Sequence, residues 1–309
     1  MPLECLPCAS SARLPSTLCI VWGTTYLGIR IALETLPPFL LTGARFTTAG
    51  LLLLAVCWFR GERLPRRAAE LMHLAIIGFA MVAVGNLAVV WAEKFVSSGF
   101  AALMVAVGPF WMVLMERIRG SQQRLTAQQA GGLLVGFGGV TILVLPHLHG
   151  TSFNLYFLLG ILAIQAGSIG WNFGSLLSKY HPGTTSPLVS AGFQMLFGGV
   201  IVDIIGFAIG EGPHFQFNAR SLAAMVYLTL IGSVLTYTAY VYALAHLPTS
   251  TVTLYAYVNP AIAVVAGWLM AGEEMGWRSI IAAVVILCGV ALVQTGRRRP
   301  VETPVAPEA

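Results

Sequence analysis

Two charged residues stand deep inside long apolar runs, Arg45 and Asp203. At the centre of a bilayer either would cost roughly 2.5–3.5 kcal/mol, so each is expected to find a partner or a hydrated cavity. Arg45 is the better placed of the two for substrate or gate work, with a structural clamp between helices as the competing role. The two residues lie at similar depth in their runs, which allows a direct Arg45–Asp203 pair. Arg30 and Glu34, four apart, are spaced for a local pair on one helix. Glu93 follows Asn86 by seven residues, on one helical face with Trp91 nearby. A carboxyl at a desolvated helix end can hold and release a proton; beside Lys94 it equally marks the edge of water.

Uncharged polar groups form stripes at helical spacing. Gln165, Ser168, Asn172, Ser175 and Lys179 share one face; so do Thr229, Ser233, Thr236 and Tyr240, flanked by Tyr237. Ser250, Thr253 and Tyr257 make a third, followed by Asn259 and the helix-breaking Pro260. Such faces either line a hydrated cavity or hydrogen-bond to neighbouring helices. The aromatic residues Trp22, Tyr26, Trp91, Trp171, Tyr237, Tyr255 and Tyr257 could box an apolar or cationic molecule. Binding of a small-molecule substrate is thus expected of Trp22, Tyr26, Arg45, Asn86, Trp91, Trp171, Asn172, Ser175, Tyr237, Tyr257 and Asn259, with Glu93 the candidate for proton coupling.

Catalytic and metal chemistry have no comparable signal. The six histidines sit at the ends of apolar runs or between them, and no nucleophile–base pair or HExxH motif occurs. Cys5-Leu-Pro-Cys8 is a lone CxxC without a second pair, so no metal and no cofactor is expected. The glycines from Gly131 to Gly139 follow no strand; they suit close helix packing rather than a dinucleotide.

The elements that must position these groups follow from composition. The 309 residues are 57% apolar and only 9% charged, with a mean hydropathy of +0.81. A soluble domain is about 25% charged, so this chain cannot cover a water-facing surface; a cytosolic enzyme, a disordered chain and a nucleic-acid binder are excluded. Lipid offers the backbone no hydrogen bonds, so the apolar runs must be helices. The expected spans are 16–34, 38–59, 71–92, 97–116, 126–146, 155–178, 187–209, 221–244, 250–271 and 277–295. Only Arg13 precedes the first, with no small-residue cleavage site after a short apolar core, so it reads as a retained helix.

Basic residues set the orientation. With both termini inside, the inner side collects Arg13, the Arg60–Arg67 loop, Arg117, Arg119, Arg124, Lys179 and Arg297 to Arg299. The outer side keeps Lys94, Arg220 and Arg278. That bias places both termini in the cytoplasm and explains the net charge of +5 without an acidic partner.

The chain also repeats itself. A shift of 149 matches Trp22 with Trp171, Pro38 with Pro187, Gly43 with Gly192 and Gly50 with Gly199. A shift of 151 matches Pro109 with Pro260 and Gly138 with Gly289. Five spans per copy force the second copy to insert upside down, and inverted repeats typify secondary transporters.

The segments Trp22-Gly-Thr-Thr-Tyr-Leu-Gly-Ile-Arg30, Arg45-Phe-Thr-Thr-Ala-Gly50, Ala92 to Leu103 with Pro109, Trp171 to Lys179, Asn259-Pro260, Gly272-Glu273 and Ile286 to Val290 resemble the drug/metabolite transporter superfamily, in particular its EamA-type ten-helix members. The resemblance covers about residues 16 to 296. It implies an all-α polytopic membrane protein: ten transmembrane helices as two inverted five-helix repeats, 16–146 and 155–295, between tails 1–12 and 297–309. It further implies a bacterial inner-membrane exporter of small organic metabolites such as amino acids, often coupled to protons, working as a monomer or homodimer. The competing expectation is a polytopic membrane enzyme acting on a lipid-linked substrate, which should cluster His, Asp, Glu or Arg at one membrane face; this sequence has no such cluster.

Overall fold

Helix boundaries fall where the sequence supplies caps and breakers. The computed structural model describes residues 13–119, 126–148, 155–247, 252, 255–272 and 276–296. Within them every regular element is helical: α1 (Arg13–Ala32), α2 (Pro38–Phe59), α3 (Ala68–Ala92), α4 (Ser98–Ile118), α5 (Ala127–Leu148), α6 (Leu155–Tyr180), α7 (Pro187–Ala208), α8 (Ala219–His246), α9 (Tyr255–Ala271) and α10 (Trp277–Thr295). Pro38 and Pro187 open α2 and α7, where a missing N–H costs nothing. The side chains of Ser97, Ser186 and Asn218 cap α4, α7 and α8 by accepting backbone N–H groups. Gly61 and Gly210, at φ 73° and 83°, turn the chain out of α2 and α7 in a conformation other residues resist.

Six of these helices (α2, α3, α4, α6, α7 and α8) are long and apolar enough to cross a bilayer. Shorter apolar helices run over Leu18–Ala32, Val258–Met270 and Trp277–Val293. The protein is therefore a polytopic membrane protein, and its outward faces carry large apolar side chains such as Trp58, Phe59, Leu134, Ile204 and Trp268.

Glycines bring the most extensive helix pairs together. Between α2 and α7, a Cβ on Gly50 would stand 2.6 Å from the Leu196 nitrogen, and one on Gly199 would collide with the Thr47 backbone. Between α5 and α10, Gly132, Gly136 and Gly139 lie against Gly289 and Ile286, so these three of the Gly131–Gly139 cluster form a packing surface, whereas a Cβ on Gly131 or Gly138 would meet nothing within 4 Å. The remaining helices also contact in matched pairs: α1 with α9 as α6 with α4, and α3 with α6 as α8 with α1.

Four of the helices are irregular. α3 winds as a π-helix over Phe79–Asn86 and α8 does the same over Leu228–Leu235, so the two segments are offset by the same 149 residues as the sequence repeat. α4 breaks at Ala106 and Val107 just before Pro109, and α9 carries Pro260 internally. Irregular backbone inside a membrane is tolerated where it is buried in protein or lines a cavity.

Candidate functional site

The irregular helices meet at a central cavity enclosing about 890 Å³, its open mouth included. Its wall is built from Trp22, Thr25, Tyr26 and Ile29 of α1, Arg45 and Phe46 of α2, and Gly85, Asn86 and Val89 of α3. Val105, Gly108 and Pro109 of α4, Gly167, Ser168, Trp171 and Asn172 of α6, Gly232 and Tyr237 of α8, and Tyr255 and Asn259 of α9 complete it. Mostly apolar walls with a few placed polar groups are the usual form of a small-molecule site.

Helix irregularity supplies acceptors to that wall. A π-turn loosens the carbonyl ladder and rotates the residues C-terminal to it. In α8, Leu228 O accepts from Arg45 Nε at 3.2 Å, and Gly232 O from Trp22 Nε1 at 3.3 Å. Near the α4 break, Met104 O accepts from Gln165 Nε2 at 3.2 Å and Gly108 O from Asn172 Nδ2 at 3.1 Å.

Arg45 is 2% exposed. Its Nε donates a second bond, 2.7 Å long, to Ser233 Oγ, and its guanidinium carbon stands 4.7 Å from the Phe46 ring centroid. Trp22 and Trp171, equivalent under the 149-residue shift, meet edge to face at 5.4 Å. Tyr240 and Tyr255 each lie 5.0 Å from Trp22, so the four rings pack as one cluster, with Trp22, Trp171 and Tyr255 on the cavity wall. The Trp171 N–H is spent on Tyr240 Oη at 3.2 Å, leaving ring faces for any occupant.

Of the residues expected to bind substrate, Trp22, Tyr26, Arg45, Asn86, Trp171, Asn172, Tyr237 and Asn259 line this one cavity. Ser175 stands behind the wall, bonded to Tyr240 Oη at 2.8 Å. Trp91 lies away from it, edge-on to Phe95 at 4.9 Å. The Tyr257 side chain, Ser250 and Thr253 lie outside the described residues. The Asn259 amide nitrogen bridges to Cys19 O at 2.8 Å and Tyr255 O at 3.1 Å, tying α9 to α1. Glu93 is fully buried behind the wall, close enough for its charge to act on both Tyr26 and Arg45.

Two expected pairs are corrected. Asp203 accepts from Thr47 Oγ1 at 2.7 Å and packs against Gly43. Arg45 is two residues from each, about 200° around a helix of 3.6 residues per turn, so depth matched but azimuth did not. Arg30 does not pair with Glu34, because α1 ends at Ala32 and the chain turns. Arg30 Nη1 donates to Glu93 O at 2.7 Å, and Glu34 faces Arg220 at 3.5 Å.

The polar stripes divide. Ser168 and Asn172 reach the cavity, whereas Gln165 bonds Trp111 and Lys179 bonds the carbonyls of Leu244 and Leu247. Thr229 and Thr236 bond carbonyls of their own helix. Sequence reasoning missed Thr25, Phe46 and the four glycines Gly85, Gly108, Gly167 and Gly232. A signal existed for the last, since a glycine beside polar stripes marks close approach, but which face it served depended on π-turns with no sequence signature. Among the described residues, no three His, Cys, Asp or Glu side chains gather as metal ligands.

Comparison with known proteins gives this geometry a family context. The model of the EamA-like transporter family matches the chain twice, over residues 16–145 and 158–295. The chain is 36% identical over 299 residues to the uncharacterized inner membrane transporter YedA of Escherichia coli K12, covering 94% of each. It is 25% identical over 294 residues to a probable terminal-alkyne amino-acid exporter of Streptantibioticus cattleyicolor, covering 92% of this chain and 94% of that one. A solved crystal structure 20% identical in sequence superposes with a TM-score of 0.69, covering 92% of this chain and 96% of the other.

Proposed function

The chain belongs to the EamA-like transporter family, and from that premise we propose that it is a secondary transporter moving small organic metabolites by alternating access through the central cavity. The observation that carries this reading is how the cavity is made. Irregular stretches of α3, α4, α8 and α9 converge on it, drawn from both halves of the chain. Broken helices meeting at a repeat interface are where transporters of this build hold their cargo.

Ten transmembrane helices arranged as inverted repeats belong to the same proposal. Its support is the common 149-residue offset of the π-segments and the matched helix contacts. Rocking of the halves about α2–α7 and α5–α10 would expose the cavity to either side in turn. The basic-residue bias argues for cytoplasmic termini, and the relatives named as inner membrane transporters argue for that membrane. Export, with amino acids or related compounds as cargo, is supported by the exporter relative. Proton coupling is assigned to Glu93 for its burial beside Arg45 and Tyr26.

Counterflow in proteoliposomes tests the reading. Purified protein should drive saturable exchange of labelled amino acids across the vesicle membrane, trans-stimulated by the unlabelled solute. Turnover of a lipid-linked substrate without solute exchange would overturn it.

A further inference from the structure

The cavity's polar groups are unevenly spent, and the imbalance specifies what enters. Arg45 is the sole basic side chain on the described cavity wall. Its hydrogen bonds among the described residues leave from Nε alone, to Leu228 O and Ser233 Oγ. The two Nη groups therefore remain as a parallel pair of donors, held in place by Nε and by the Phe46 ring beneath the guanidinium. Gly232 makes the room: a Cβ there would come within 3.0 Å of Arg45 Nη2. Glu93 acts on Arg45 through its charge.

Several of the other polar groups on the wall are already spent. The amide nitrogens of Asn172 and Asn259 are already donated to carbonyls, as is the Thr25 hydroxyl, to Trp22 O. The indole N–H groups of Trp22 and Trp171 are likewise engaged. Beyond Arg45 the wall presents the aromatic faces of Trp22, Trp171 and Tyr255, with the Asn86 amide and the Ser168 hydroxyl as its further polar groups. A desolvated guanidinium with two parallel donors matches the two oxygens of a carboxylate, and the match strengthens as water is excluded.

We propose that Arg45 is the anion subsite of this cavity and that its cargo carries a carboxylate at one end and a flat apolar body at the other, the body lying against Trp22, Trp171 and Tyr255. The proposal rests on the transport reading for its consequence, but its geometry stands on binding alone.

Four probes of one shape separate the terms: 3-phenylpropionate, its primary amide, 3-phenylpropylamine and phenylalanine. Binding is read by quenching of tryptophan fluorescence and by thermal protection of detergent-purified protein. The wild type should bind 3-phenylpropionate, phenylalanine or both at least about tenfold more tightly than the amide or the amine. Arg45→Gln should bring the carboxylate-to-amide ratio to about one while amide binding persists. Arg45→Lys, which keeps the charge but loses the paired donors, should fall between. If Arg45→Gln is not recovered folded, the Lys variant and the wild-type ratio decide.

A wild type that binds the amine or amide as tightly as the acid, or binds none of the four, overturns the anion subsite. An unchanged ratio in either variant does the same. The two readings fail separately. Carboxylate-selective binding without counterflow would sink transport and leave the subsite, whereas saturable counterflow of neutral or cationic solutes, insensitive to Arg45, would do the reverse.

Discussion

Arg45 and Thr47 are two residues apart on α2, and what each meets differs in kind. The Thr47 side faces α7, where Gly43, Gly50 and Gly199 let backbones touch and Asp203 is bonded at 2.7 Å. Past the end of α7, Glu211 reaches back to the Leu40 N–H at the start of α2. The Arg45 side faces the cavity, where a better-buried charge keeps two donor groups uncommitted among the described residues. A charge inside a membrane is thus not in itself a sign of function: what distinguishes Arg45 from Asp203 is the neighbour each meets, the central cavity for Arg45 and the glycine-lined α2–α7 seam for Asp203. On this view α2 is a fixed post with one structural face and one working face.

The same small change on each face should therefore have opposite consequences. Gly199→Ala drives a methyl into the Thr47 backbone, which cannot swing aside. Overpacking of this kind costs about 1–3 kcal/mol or more, so the yield of monodisperse protein should fall sharply. Gly232→Ala meets only the Arg45 Nη2 and Thr25 Cγ2 atoms, both at 3.0 Å. That variant should fold with normal thermal stability and lose several-fold in carboxylate binding, because the guanidinium must shift. Normal yield for Gly199→Ala, or unaltered binding for Gly232→Ala, would erase the distinction between the faces.

Asp203→Asn gives a smaller effect and a sharper one. The amide oxygen still accepts from Thr47, and removing a half-buried charge offsets the weaker bond. Unfolding stability should change by less than about 1 kcal/mol, and counterflow should match the wild type. A large loss of flux with normal stability would move Asp203 into the transport machinery and break the comparison.

The sequence made one of these faces legible and left the other obscure. Apolar runs, caps and prolines located the helices, and the matched Trp22 and Trp171 pointed to the ring cluster. Arg45 stood out because a charge in lipid is expensive. Its partner did not, because hydropathy gives depth and says nothing of azimuth; hence the expected pair with Asp203. The π-turns of α3 and α8 moved the register again, so Gly85 and Gly232 came to the wall while Thr229 turned to its own backbone. Trp91 and Ser175 shared chemistry and spacing with wall residues, yet Trp91 packs on Phe95 and Ser175 sits behind Tyr240. Those outcomes were decided by tertiary contacts, which a helical period does not encode.

The smallest effect belongs to Glu211, which lies beyond α7 and holds the structural face at one end. Burial pushes its carboxyl above the ordinary value of 4.5, against the opposing pull of the Leu40 and Phe39 N–H groups and the charges of Lys94 and His214. A raised pKa means that the folded protein holds this proton more tightly than the unfolded chain does. Its contribution to stability is therefore greatest below the ordinary carboxylate pKa and declines as pH rises through the folded-state value. Glu211→Gln keeps an acceptor for Leu40 and cannot ionise, so that decline should vanish. Thermal midpoints of detergent-purified protein, taken from about pH 4 to about pH 7, should fall less steeply in the variant than in the wild type. Carboxylate binding at Arg45 should match the wild type at every pH, because the tether acts on the side of α2 that faces α7 and the cavity is lined by the other.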